Sequence, residues 1–326
     1  MKSQTAIDLS VIILNYKSGE YLSKCLKSIY KSKLGKYNIE IIIVDNNSPD
    51  NSIALAKKNK SILNTYYLLL NTNKGFAYGN NRGVEKISNN SQNVLFLNPD
   101  TIVRKHTFYK CLKFLDKHPQ SAAMTCKINL VKTGKLQPEC HRGFPYPWRS
   151  FCYFTGLYKL APNSAFLNGY FQGNLNLNKI HQIEACVGAF FLIRRKIGDN
   201  LKWWNEKYLF YGEDLQFCYD LQSNHYNLFF YPYTTIDHYQ GVSSGLKSQT
   251  KNITTASRTT KIMVARASTN AMRIFYKENL LKNYNFITKS LVMVGINILE
   301  FYRVTKAKGV LPFSRGDSPA KRGRGV

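Results

Sequence analysis

Apolar residues in the first hundred positions fall in short blocks separated by stretches of helical period. Blocks at 9–14, 39–44, 66–70 and from 94 predict strands, and 21–32, 52–60 and 75–87 predict the helices between them. This alternation predicts an α/β fold with a Rossmann-like, mainly parallel sheet flanked by helices. The run Ile41-Ile42-Ile43-Val44 is continuous rather than alternating, as expected of a strand covered on both faces. Open sheets of this kind bind ligands beyond the carboxyl ends of their strands, so the residues just after each block are where chemistry is to be sought.

Residues 138–178 lose this period and gain Pro, Gly, Asn and aromatics, which predicts irregular structure over a binding face. Beyond them the pattern predicts a strand at 189–193, a helix from near Gly212, a short strand at 228–231 and two helices between 254 and 303. The expected organisation is a catalytic domain over 1–250, a helical extension over 251–310 and a basic flexible tail over 311–326.

The chain carries 46 Lys plus Arg against 19 Asp plus Glu, a formal charge of +27 that attracts any extended anion without choosing among nucleic acid, anionic lipid and diphosphate. Seven widely spaced cysteines with no Cys-x-x-Cys pair predict reduced, buried thiols. No secretory leader and no apolar stretch long enough to span a bilayer are visible, so a cytoplasmic location is expected.

Five constellations follow predicted strands or open predicted helices. In Leu97-Asn98-Pro99-Asp100 the proline keeps Asn98 extended, which ends the strand and leaves Asp100 at the sheet edge. A turn capping a helix that begins near Lys105 would use the same residues. Asp45 ends the second strand at the same edge, within reach of a base or ribose, although Asp, Asn and Ser there also suit a helix cap. The stretch from Asn73 to Gly83 opens a helix with small residues and side-chain amides, either to face phosphate or to pack closely through Gly79 and Gly83. Glu213 and Asp214 start a helix about 100° apart, so one of them is expected to face a substrate unless both only complement the helix dipole. His238 is expected beyond the short strand and before a glycine-serine turn, as a structural imidazole or a metal ligand.

Taken in order, Ser10-Val11-Ile12-Ile13-Leu14-Asn15-Tyr16, Val44-Asp45-Asn46, the Asn73 to Gly83 stretch, Leu97-Asn98-Pro99-Asp100, Gly188-Ala189-Phe190, Tyr211-x-Glu213-Asp214 and His238-x-x-Gly241-x-Ser243 resemble the family 2 glycosyltransferases. The subgroup most similar is the rhamnosyltransferase type of bacterial surface polysaccharide synthesis, including O-antigen and capsule. The resemblance implies a GT-A fold and a nucleotide-sugar site of Asn15, Asp45, Asn73, Gly75, Gly79, Asn80, Asn98 and Asp100. It further implies Mn²⁺ or Mg²⁺ on Asp100 and His238, acceptor contacts at Gly188 and Ala189, and Asp214 as general base beside Glu213. Asn98 stands where the Asp-x-Asp motif has its first acid, and Gln216 where many relatives carry a second Asp. The Gln-x-x-Arg-Trp signature of processive relatives is missing, so one sugar per encounter is implied. The implied reaction is inverting transfer, with rhamnose as the first guess, to a glycan or polyprenyl-diphosphate-linked acceptor.

Two other classes use some of the same residues. A nucleotidyltransferase shares the sheet-edge metal, but Asn15-Tyr16-Lys17-Ser18-Gly19 is a poor version of its glycine-rich loop. A nucleic-acid-binding protein would use the charge but leaves Asp45, Asp100 and Asp214 without a role, so no nucleic acid is expected. On a helix through 258–277, Arg258, Arg266, Arg273 and Lys277 share one sector, a cationic stripe suited to an anionic membrane surface or to plain solvation.

Overall fold

The computed structural model describes residues 6–59, 63–240 and 257–309. Strands β1 (Leu9–Asn15), β2 (Ile39–Asp45), β3 (Asn64–Leu69) and β4 (Asn93–Leu97) lie parallel in the order β3-β2-β1-β4. Helices α1 (Glu20–Tyr30), α2 (Ser52–Lys57) and α3 (Phe76–Val84) connect them. All seven residues of β2 are buried, as its unbroken apolar run predicts.

The sheet continues through β8 (Phe190–Arg194), β6 (Ser121–Leu130), β9 (Asn227–His238) and β5 (Thr101–Val103), with β7 (His181–Gln182) on β9. Here it becomes mixed: β8 runs antiparallel to β4 and β6, β6 and β9 are parallel, and β5 is antiparallel to β9. Helices α4 (Thr107–Lys117), α5 (Pro147–Thr155), α6 (Arg195–Asn200) and α7 (Glu213–Ser223) complete this unit.

Three features depart from the apolar pattern, each for a visible reason. The central strand β6 begins Ser-Ala-Ala-Met-Thr-Cys, small and polar residues that carry no strand signal although they are buried. Strand β9 runs on to His238 because a register shift between Cys126 and Lys127 of β6 accommodates Pro232, which would otherwise stop a strand. His238 is therefore the last residue of a long strand and does not lie beyond a short one. Within the stretch expected to be irregular, α5 forms between Pro147 in its first turn and Gly156, which takes φ 83° to end it.

An aromatic cluster holds the helices that border the sheet edge. Trp204 is 2% exposed and packs against Phe96 of β4 (centroids 4.8 Å apart), Phe217 of α7 (4.9 Å), Phe76 of α3 (5.4 Å) and Phe191 of β8 (5.7 Å). All seven cysteines are buried free thiols, as expected.

Residues from Gly241 onward form a second unit. Its described part is α8 (Arg258–Phe275), a wider π turn over Tyr276–Leu280 and α9 (Phe286–Ala307), which packs on α8. The cationic stripe expected on the first of these helices is partly engaged: Arg258, Arg266 and Lys277 are exposed, and Arg273 is half-buried. Arg273 bridges Glu300 and donates to Asn297 of α9, Arg258 donates to the Lys308 carbonyl, and Lys277 falls in the π turn. The boundary expected at 250 and the tail over 311–326 lie outside the described residues.

Close packing accounts for Gly83, where a Cβ would sit 2.7 Å from Ile12 Cγ2 and 3.0 Å from Val44 Cγ2. Both neighbours are β-branched and fully buried, so neither can swing aside. Gly83→Val is expected to cost about 1–3 kcal/mol of unfolding free energy by overpacking, read from urea denaturation. An unchanged midpoint would contradict this packing.

Candidate active site

The parallel strands carry the expected polar residues to one edge. Register pairs Asn15 with Asp45, and the Asn15 amide donates to Asp45 Oδ1 at 2.6 Å and to Ser52 Oγ at 2.8 Å. Ser18 donates to Asn15 Oδ1, and the Ser48 N–H donates to Asp45 Oδ2 at 3.0 Å. Asp45 thus braces its own turn as well as standing at the sheet edge. Next to it, the Asn46 amide donates to Asn73 Oδ1 (2.9 Å) and to the Gly75 carbonyl (3.2 Å), while Asn46 Oδ1 is buried with no partner.

Gly75 sits at φ 98°, and a Cβ there would lie 2.4 Å from the Leu209 carbonyl oxygen. The later residues of this stretch turn inward. A Cβ on Gly79 would meet Leu14, and the Asn80 amide, 1% exposed, donates to the Phe76 carbonyl at 3.0 Å. Close packing thus accounts for Gly79 and Gly83, and Asn73 and Gly75 remain at the edge.

Asp100 and His238 meet across the β5–β9 pair, His238 Nε2 lying 3.1 Å from Asp100 Oδ1. On the other side of the ring, Nδ1 lies 2.7 Å from Gln137 Oε1, so Gln137 orients the imidazole whose Nε2 faces Asp100. The Asn98 amide is 3.5 Å from the same Nε2. A carboxylate beside an imidazole suits Mn²⁺ or Mg²⁺. Among the described residues no group of three or more His, Cys, Asp or Glu could hold a metal. A two-ligand set fits a cation whose remaining positions are filled by substrate phosphate and water.

Glu213 and Asp214 are both buried at the start of α7, and their surroundings separate them. Asp214 Oδ2 accepts from Arg142 Nη2 at 3.1 Å and from the Gly188 N–H at 3.3 Å, and Oδ1 accepts from the Leu215 N–H at 2.7 Å. Arg142 is held by backbone hydrogen bonds in both directions with Ala185. Burial opposes the Arg142 charge, but the Asp214 carboxylate outweighs it and raises the pKa. Glu213 Oε2 is buried without a partner, and burial followed by the Asp214 charge pushes its carboxyl up to about 8.

The two halves join through the backbone. The Asn98 N–H donates to the Ala189 carbonyl at 3.1 Å where β4 pairs with β8, and the preceding residue, Gly188, donates to Asp214. Gly188 and Ala189, expected at the acceptor, therefore form the link between the Asp100 turn and Asp214. Arg142 and Gln137 are absent from the sequence-level site. They lie in or beside the aperiodic stretch, where no pattern marks a cation or an amide as directed inward.

The profile of glycosyl transferase family 2 matches residues 10–201, more than half of the chain. The chain belongs to this family. Membership decides for a glycosyltransferase over the nucleotidyltransferase alternative. Poly(ribitol-phosphate) beta-N-acetylglucosaminyltransferase TarS of Staphylococcus aureus is 31% identical over 191 residues, 59% of this chain and 33% of TarS. The chain spans a third or less of the length of the first curated relatives it matches. Among solved structures, S. aureus TarS 1–349 in complex with UDP-GlcNAc aligns with a TM-score of 0.51 and 17% identity, covering 94% of this chain and 84% of that one. GalNAc-T7 with UDP, GalNAc and Mn²⁺ aligns with a TM-score of 0.55 and 17% identity, covering 72% and 44%. The fold is that of the GT-A glycosyltransferases.

The Glu213 environment sets a pH dependence. Its folded-state pKa lies above the ordinary value of 4.5, so its contribution to stability is full below about 4.5 and is lost as pH rises toward about 8. A Glu213→Gln chain does not lose it. The urea midpoint of the variant is expected to rise relative to the parent across that window, and a constant difference would contradict the raised pKa of this buried carboxyl.

Proposed function

We propose that the unit up to Gln240 is an inverting, metal-dependent glycosyltransferase that moves one sugar from a nucleotide-diphosphate donor to a hydroxyl of a cell-surface glycan or lipid-linked glycan. The observation that carries this reading is the run of hydrogen bonds from Asn98 through Ala189 and Gly188 to Asp214, which sets a carboxylate–imidazole pair and an arginine-held carboxylate on one frame. Such a frame supplies both ends of a displacement, a base for the acceptor and a charge partner for the leaving diphosphate.

In the proposed step Asp214 takes the proton from the acceptor hydroxyl, whose oxygen bonds the anomeric carbon on the face opposite the departing diphosphate. Arg142 and the Gly188 N–H fix Oδ2 of that carboxylate, and Gln137 fixes the His238 ring. A divalent cation, when bound by Asp100 and His238, neutralises charge on the diphosphate. Asn15, Asp45 and Asn73 are proposed to line the nucleotide. The family resemblance favours deoxythymidine-diphospho-rhamnose, whereas the names of the relatives favour a UDP-N-acetylhexosamine. An acceptor rich in phosphodiesters, such as the polymer named for TarS, suits a chain of formal charge +27.

Slow hydrolysis of a donor panel containing both sugars, with Mn²⁺ or Mg²⁺, tests the reading without knowledge of the acceptor. Release from one donor that needs metal and disappears in Asp100→Ala is expected. With an acceptor in hand, Asp214→Asn is expected to lower transfer by ~10²–10⁴-fold while nucleotide binding persists. Absence of both donor hydrolysis and metal-dependent nucleotide binding would overturn the proposal.

A further inference from the structure

Helix α9 is amphipathic in the inverted sense. A packed helix normally turns its apolar stripe to its neighbour and its charges to water. On α9 the polar residues meet α8: Glu300 accepts from Arg273 and, at 3.1 Å, from Thr269, Asn297 accepts from Arg273 at 2.8 Å, and Arg303 donates to Ser268 at 2.9 Å. The open side carries Ile287, Leu291, Val294, Ile298, Phe301 and Tyr302, 40–72% exposed. At 3.6 residues per turn these six fall within a sector of roughly 100° that contains no charged residue. Phe286, 82% exposed, adds a ring at the helix start. Single exposed apolar residues need no explanation, but a continuous stripe along five turns does.

We propose that α9 lies flat in the interface of an anionic bilayer with this stripe in the acyl boundary. No described helix is long and apolar enough to cross a membrane, so an in-plane position is the one available to it. Charge selects this occupant over a second copy of the chain. Residues 241–326 hold sixteen Lys or Arg against three Asp or Glu, so pairing two such units brings like charges together, whereas an anionic leaflet meets the apolar stripe and the surrounding cations at once. The apolar stripe of α9, not the arginines of α8, which are partly engaged with α9, makes the contact. Binding at a leaflet would bring the site to lipid-linked acceptors; that consequence rests on the proposed transfer reaction, while the docking itself does not.

Flotation of the full chain with vesicles of phosphatidylcholine containing phosphatidylglycerol tests the docking, and neither donor nor acceptor is required. The parent is expected to float with anionic vesicles, and Ile287→Ser/Leu291→Ser/Ile298→Ser is expected to reduce the bound fraction roughly tenfold or more with an unchanged circular dichroism spectrum. Because the substituted side chains are exposed, the variant should fold, and Lys306→Glu/Lys308→Glu gives a second series that leaves the stripe intact and should weaken binding only moderately. Equal flotation of the serine variant and the parent would overturn the proposal by showing attachment through charge alone. So would absence of flotation, with or without a concentration-dependent dimer in ultracentrifugation that the serine variant loses.

Discussion

One backbone hydrogen bond, from the Asn98 N–H to the Ala189 carbonyl, fixes the geometry on which the proposed reaction depends. It closes the pairing of β4 with β8, and the chain on either side of it leads to Asp100 in one direction and to Gly188, the neighbour of Asp214, in the other. Buried backbone groups must be paired, so this junction is obligatory as well as positional. Carboxylates fixed from opposite sides of a single strand pair need little reorganisation before reaction, which is where positioned groups gain most of their advantage.

Around that junction the chain spends polar side chains on orientation. Gln137 fixes the face His238 presents, Arg142 fixes the Asp214 carboxylate, and Asn46 ties the β2 edge to the loop before α3. Beneath them, Trp204 packs against aromatics from α3, β4, β8 and α7, so elements bordering the edge are set by a dry core rather than by the site itself. Some demands here are unmet: Asn46 Oδ1, Arg142 Nε and Glu213 Oε2 are buried without partners, as are atoms elsewhere among the described residues, Asn93 Oδ1 and Trp204 Nε1 among them. Buried polar atoms left in this condition are costly.

The sequence was informative where periodicity and edge chemistry coincide. Strands β1 to β4 and the acids at their ends are legible because unbroken apolar runs stop at Asn15, Asp45 and Asn98. Strand β6 was not, because Ser, Ala, Thr and Cys fill a crowded centre without marking a period, and β9 looked short because Pro232 hides a bulge. Arg142 and Gln137 could not be placed, since their inward direction depends on pairing with Ala185 and on the last residue of β9. The cations of α8 illustrate the converse: a helical projection groups them correctly, yet only tertiary packing shows that two of them serve α9.

The central claim is that Asp100 and His238 together receive the cation that accompanies the donor diphosphate. Anomalous diffraction at the manganese edge, from crystals grown with Mn²⁺ and a nucleoside diphosphate, tests it most directly. The account expects a single strong peak coordinated by Asp100, His238 Nε2 and diphosphate oxygens, with Asp45 beside the nucleoside. Manganese bound elsewhere, or a nucleotide ordered at this edge with no metal between it and Asp100, would contradict it.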